Sequence, residues 1–218
     1  MSTPQQYYDD YWKNLQHGDG WQLHPVLRRA VEANVTKQTS VLDAACGDGR
    51  HYGAWLAGVA GAYHGIDVSP AALELARGRG LSVSQQDFEQ PFARTPAADV
   101  AIAFEVIEHL FNPEPLLRSL HASLTPQGVL LATVPNFLHW RNRVSFLRGH
   151  FIPAGSPNTS FAAPWRDPHL RFFSAASFHQ LLLVTGFSRV TMVGVGASPL
   201  RHCCPSLFAP TLLGIARK

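Results

Sequence analysis

From residue 40 onward, short apolar runs bounded by turn residues alternate with segments whose apolar positions recur every three or four residues. That alternation is the pattern of strand–helix–strand units in a parallel sheet. It predicts strands at 40–45, 61–66, 81–86, 98–104 and 128–134, with helices at 51–59, 70–78 and 113–124 between them. Ser69-Pro70 marks a helix start, because a serine caps well and proline in the first turn has no N–H to lose. After Pro135 the alternation breaks, and the proline- and aromatic-rich residues 136–168 read as an inserted lid over a substrate. A helix at 174–185, closed by Gly186, resumes the pattern, and strands near 188–194 and 208–216 are expected to pair as an antiparallel hairpin. Residues 1–35 read as a helical extension of two short helices, 5–16 and 24–34, with Tyr7, Tyr8, Tyr11 and Trp12 clustered in the first. The expectation is one domain over residues 1–218.

Composition narrows this little. With 46% apolar and 15% charged residues in 218, the chain can bury a core, which excludes intrinsic disorder. No apolar run approaches the ~20 residues of a membrane span. Met1 to Asp10 is polar and acidic, unlike a secretory leader, so a cytoplasmic protein is expected. A net charge of +3, carried almost wholly by arginine, gives no case for nucleic acid as a partner. The three cysteines, Cys46, Cys203 and Cys204, match no disulfide framework or zinc spacing and read as reduced thiols.

The chemistry concentrates at strand ends. The first strand runs into Asp43-Ala44-Ala45-Cys46-Gly47-Asp48-Gly49, small residues that let backbone approach a ligand closely. A dinucleotide loop, G-x-G-x-x-G, would need glycine where Tyr52 stands, and Asp43 before the turn suits a cationic ligand better than a pyrophosphate. The turn resembles motif I of the class I S-adenosylmethionine-dependent methyltransferases, D-x-G-x-G-x-G, with Ala45 in place of its first glycine. That departure matters if the position needs a positive φ. The resemblance runs from residue 40 to the C-terminus. It implies a Rossmann-like α/β fold, with seven mostly parallel strands and an antiparallel last one, and S-adenosyl-L-methionine as cofactor. It implies that Asp67 accepts both ribose hydroxyls, and that Asp87 accepts from the adenine amino group while the Phe88 N–H reaches the ring. Asp43, Ala45, Cys46, Gly47, Val68 and Glu105 complete the implied cofactor contacts. Any one of these acids could simply cap a helix; acids at three successive strand ends point to a ligand.

The fourth strand runs into Glu105-Val106-Ile107-Glu108-His109. If a helical turn starts there, the i, i+3, i+4 spacing brings Glu105, Glu108 and His109 to one face, a set suited to a divalent metal. The string resembles those of the ubiquinone-biosynthesis O-methyltransferases of the UbiG type and of small-RNA 2′-O-methyltransferases. In both, these three residues are taken as ligands of Mg²⁺ or another divalent ion, and His169 stands near the further histidine of the RNA branch. Without a metal, His109 is the natural general base beside Glu108.

Residues 136–151 place Trp140, Val144, Leu147 and Phe151 on one helical stripe, with Arg141, Arg143 and Arg148 mostly off it. A substrate cap using Trp140, Arg143 and Phe151 is expected, and an interfacial helix touching a membrane is the alternative. This stretch also resembles a P-N-x-x-H-W-R segment of methyltransferases related to a methionine-biosynthesis protein. The reading is O-methylation of a small-molecule hydroxyl, phenolic or sugar. An RNA 3′-terminal 2′-O-methyltransferase, an N-methyltransferase and a non-catalytic cofactor-binding scaffold stand as alternatives.

Overall fold

A strand covered on both faces has no solvent side to mark with polar residues, and the runs Val41–Ala44, Val100–Phe104 and Val129–Val134 are buried throughout. In the computed structural model, which describes residues 4–14, 23–92, 95–150 and 168–218, these runs are the centre of a seven-stranded sheet. Its strands are β1 (Ser40–Ala44), β2 (Ala62–Asp67), β3 (Val83–Gln85), β4 (Ala98–Phe104), β5 (Leu124–Pro135), β6 (Ser188–Val195) and β7 (Thr211–Arg217). The order is β3-β2-β1-β4-β5-β7-β6, and β7 alone runs antiparallel to its neighbours β5 and β6. The helices are α1 (Pro4–Asn14), α2 (Pro25–Glu32), α3 (Gly53–Val59), α4 (Pro70–Gly78), α5 (Glu114–Ser123), α6 (Trp140–Leu147), α7 (Ala175–Val184) and α8 (Pro205–Phe208).

Alternate residues of each strand feed two separate cores. Leu42, Ala44, Ala101, Ala103 and Leu130 pack on Leu116 and Leu120 of α5 and Phe178 and Leu182 of α7. Val41, Val100, Ile102 and Leu131 pack on Val31 of α2 and Leu56 of α3. Between β1 and β4 the order of connection reverses direction, and such a switch point opens a crevice at the carboxyl ends of the strands.

The sequence pattern and the structure differ at element ends, for local reasons. Helix α3 starts at Gly53 rather than 51, because residues up to Tyr52 are used in a turn with Gly47 and Gly49 at positive φ. Strand β5 starts at Leu124, since α5 hands directly into it and Leu124 pairs with Ala98. The strand expected from 208 begins at Thr211, after the short helix α8. The helix expected over 136–151 is α6, 140–147, because Asn136–His139 forms a turn bound to Phe173. Residues 15 and 16 of the first expected helix, Phe151 and most of the expected lid lie outside the described residues.

Asn136 holds this turn to the far end of the sheet. Its buried amide donates to the carbonyls of Ala209 (2.7 Å) and Ser206 (3.0 Å), and its Oδ1 accepts from Leu138 N. Asn136→Ala would strand buried carbonyls, so it should cost about 1–3 kcal/mol of stability, read by chemical denaturation.

Candidate active site

Small residues after β1 give the site its floor. Ala45, Gly47 and Gly49 all have positive φ (62°, 55° and 72°), so the family motif's glycine has been replaced at a position that does require the left-handed region. Gly47 lies beneath α1: a Cβ there would sit 2.5 Å from a carbon of the Trp12 indole. The loop is tied from below by Asp48, a buried carboxylate paired with Arg79 (3.1 Å) and Arg50 (3.3 Å).

Asp67, at the end of β2, is buried and accepts from Gly47 N and Ser69 N, each at 2.9 Å. One carboxylate thus joins the β1 loop to the start of α4. Ser69 caps α4 by accepting from Ala72 N, and its hydroxyl donates to Asp9 of α1, which also accepts from Ala71 N. Asp87 is exposed, with Oδ1 accepting from Glu89 N, while Phe88 turns into the core. Val68 follows Asp67, and Cys46 is a buried thiol directed at the Gly47 carbonyl.

Asp43 lies deeper. Its Oδ2 accepts from the Tyr63 hydroxyl at 2.8 Å, and Oδ1 has no hydrogen-bond partner among the described residues. Burial pushes this carboxyl up to about 7, against the lowering effect of the Tyr63 and Tyr52 hydroxyls. A buried carboxylate with an unused oxygen beside a Cβ-free loop fits a ligand that brings positive charge into the crevice.

On the other side of the switch point stands a second cluster. Glu105 follows β4 with φ of 52°, and its N–H donates to the buried Thr133 hydroxyl at 3.0 Å. A tight 3₁₀ turn over Ile107–His109 then buries Glu108, whose two carboxylate oxygens accept no hydrogen bond among the described residues. Nε2 of His109 lies 3.8 Å from Glu108 Oε1, and Nε2 of His169 lies 3.9 Å from the same oxygen. The two imidazoles stack at 4.7 Å. His169 is placed by its neighbours, since Leu170 N and Arg171 N both donate to the Glu108 carbonyl. Glu108, His109 and His169 bring their ligand atoms together, and the Glu105 carboxyl lies beside Glu108, close enough to raise its pKa.

His109 Nδ1 lies 3.3 Å from the Pro168 carbonyl, and a carbonyl can only accept, so Nδ1 carries the hydrogen. Nε2 is then the ring nitrogen turned toward the Glu108 carboxylate. Burial first, and the Glu105 charge second, push Glu108 well above the usual carboxylate range. The geometry therefore fits a cation shared by Glu108, His109 and His169. Two imidazoles and one carboxylate suit first-row transition ions better than Mg²⁺, which favours all-oxygen sites.

Tyr8 of α1, one of the clustered N-terminal aromatics, meets the His109 ring edge to face at 6.3 Å, and its phenol is pushed up by burial. Helix α1 thus touches both halves of the site, at Gly47 and at His109. Trp140 and Arg143 lie on α6, and Arg143 donates to the Leu138 carbonyl at 2.7 Å. No residue of α6 is fully buried, so the stripe expected to cap a pocket faces solvent at Trp140 and Leu147.

A family model described as a methyltransferase domain matches residues 13–191. A probable S-adenosylmethionine-dependent methyltransferase of Mycolicibacterium smegmatis is 32% identical over 190 residues, covering 86% of this chain and 63% of that protein. A ubiquinone biosynthesis O-methyltransferase of Histophilus somni is 31% identical over 128 residues, 53% of each chain. The crystal structure of a Thermotoga maritima protein, described as a SAM-dependent methyltransferase and possible histamine N-methyltransferase, superposes with a TM-score of 0.62. At 17% identity, over 87% of this chain and 86% of that one, the likeness shows the fold. The chain spans 61% to 63% of the length of its curated mycobacterial relatives.

Two outcomes follow from the floor of the site. Ala45→Gly should leave thermal stability equal or higher by on the order of 1 kcal/mol, whereas Ala45→Val should lose about 2 kcal/mol, since a branched side chain tolerates positive φ worst. For Asp43, the folded carboxyl binds a proton between its ordinary 3.8 and about 7 while the unfolded one does not. Stability of the ligand-free protein should therefore fall as pH rises through that window, and Asp43→Asn should flatten the fall in calorimetric scans.

Proposed function

Because the chain belongs to the methyltransferase-domain family, class I and S-adenosylmethionine-dependent, we propose that it methylates a hydroxyl oxygen of a small molecule with the help of a divalent cation. The observation that carries this reading is the buried Glu108 carboxylate, bare of hydrogen bonds and faced by two imidazole nitrogens at 3.8 and 3.9 Å. The relative named a ubiquinone biosynthesis O-methyltransferase agrees with it.

S-adenosylmethionine supplies a methyl group on a sulfonium, a cationic leaving group. Asp67 and the Gly47 backbone hold the nucleoside half, with the spare lone pairs of Asp67 available to two vicinal hydroxyls. Asp43 places negative charge under the loop where positive charge arrives. Glu108, His109 and His169 would hold a divalent ion, which lowers the pKa of a bound hydroxyl and orients it. The Nδ1 contact with the Pro168 carbonyl turns Nε2 of His109 toward Glu108, where it would serve as a ligand. Tyr8 and Trp12 stand over the two halves of the site, at His109 and at Gly47. Bond making to the acceptor oxygen accompanies breaking of the carbon–sulfur bond, with the pair returning to sulfur and the acceptor proton leaving to solvent. The protein's part is alignment of oxygen and methyl about 3 Å apart. A cation favours oxygen over nitrogen as acceptor, because a neutral amine already offers a lone pair while a hydroxyl must first be acidified.

The test is calorimetric titration of Mn²⁺, Co²⁺, Zn²⁺ and Mg²⁺ into the S-adenosylhomocysteine-bound protein. Saturable binding is expected, tighter for the transition ions, and weakened by about 10–100-fold or more in Glu108→Gln and His169→Ala. Binding absent from the wild type, or untouched by both variants, removes the cation and leaves His109 as the base.

A further inference from the structure

Exposed apolar residues and arginines stand on α6 and on the 168–173 segment, and ring contacts join the two. Helix α6 contributes Trp140, Val144 and Leu147, which at about 100° per residue fall on one stripe. Leu147 is 88% exposed. Arg141 and Arg148 flank this stripe on one side and Arg143 on the other, the arrangement of a helix lying flat in an interface. Phe146 ties α6 to Phe137 (ring centroids 5.2 Å), and Phe137 packs on Phe172 (4.6 Å) of the 168–173 segment. That segment adds exposed Leu170 and Phe172, and Arg171 reaches the Phe111 carbonyl and lies 5.1 Å over the Phe111 ring, itself 72% exposed.

Residues 136–150 and 168–173 contain four arginines, Arg141, Arg143, Arg148 and Arg171, and no acidic residue to offset them. Near Phe111, the Glu89 carboxylate is engaged by the backbone, accepting from Phe111 N and Asn112 N.

We propose that this face docks the protein on an anionic lipid bilayer, with Trp140, Leu147, Leu170, Phe172 and Phe111 entering the headgroup–acyl boundary and the arginines at phosphate level. Two of these arginines are oriented by backbone carbonyls, Arg143 by Leu138 and Arg171 by Phe111. A folded protein partner would need acids spaced to match those fixed positions; mobile lipid phosphates need no spacing. Long guanidinium side chains keep their charge in water while their stems cover apolar surface, as an interface requires. Among the described residues no helix is long and apolar enough to cross a membrane, so the contact is peripheral. Since Leu170 N and Arg171 N both bind the Glu108 carbonyl, the docking face is continuous with the wall of the site.

The experiment is sedimentation of the full chain with vesicles of phosphatidylcholine alone and of phosphatidylcholine mixed with phosphatidylglycerol. Binding at least about tenfold stronger to the anionic vesicles is expected, falling with salt. Leu147→Asp and the pair Arg141→Glu, Arg148→Glu should each lose about tenfold or more; all three positions are exposed, and circular dichroism checks that the variants fold. No binding to either vesicle overturns the proposal, as does anionic binding that these variants keep. Binding of an RNA oligomer lost in the same variants, with no vesicle binding, assigns the face to nucleic acid and also overturns it. Glu108→Gln should bind vesicles as the wild type does, so failure of the cation reading leaves this result intact.

Discussion

A parallel sheet covered on both faces can put polar chemistry only at its strand ends, and everything at this site follows from that constraint. Two layers of helices bury the strand middles so completely that the buried acids Asp43, Asp67 and Glu108 stand at the strand ends. The register of β1 with β2 and β4 then decides which of them can serve one ligand. Asp67 does the joining: by accepting from the β1 loop and from the start of α4, it makes the loop, the strand and the helix one unit.

The rim is also where the fold carries its local costs. Among the described residues, two of the three non-glycine residues with positive φ, Ala45 and Glu105, stand at the ends of β1 and β4, on the two sides of the switch point. Each costs about 1–2 kcal/mol relative to a relaxed conformation. The strain at Glu105 has a visible function, because it lets the chain turn at once and present Glu108 inward from a 3₁₀ turn. Buried carboxylates add to the cost, and both effects are of the kind that a positively charged ligand offsets.

Strand–helix alternation and the acids at successive strand ends were legible in the sequence because both are local: an apolar run of five or six residues and a turn are enough to show them. The Ser69 cap and Pro70 were legible for the same reason. The Glu108–His109–His169 group was only half legible. Spacing brought Glu105, Glu108 and His109 together because they are close in sequence, whereas His169 is brought in by backbone hydrogen bonds some sixty residues away. Asn136 gave no signal at all, since an asparagine after a proline reads as a turn residue, and its buried amide finds its partners some seventy residues on. Tyr8 and Trp12 were visible as an aromatic cluster, but which surface they covered depends on Asp9 meeting the start of α4.

The reversed strand β7 has a consequence for how the molecule is made. Strand β6 reaches the sheet only through β7, which lies between it and β5 and yet follows it in sequence. As the chain emerges from a ribosome, the parallel half can assemble from β1 to β5, with α5 and β5 already in contact. Strand β6 must then wait, unpaired, until residues 211–217 have been synthesised and slotted in beside Leu124–Pro135. During that interval the outer edge of β5 is open, and its covering depends on the speed of the last stretch of translation.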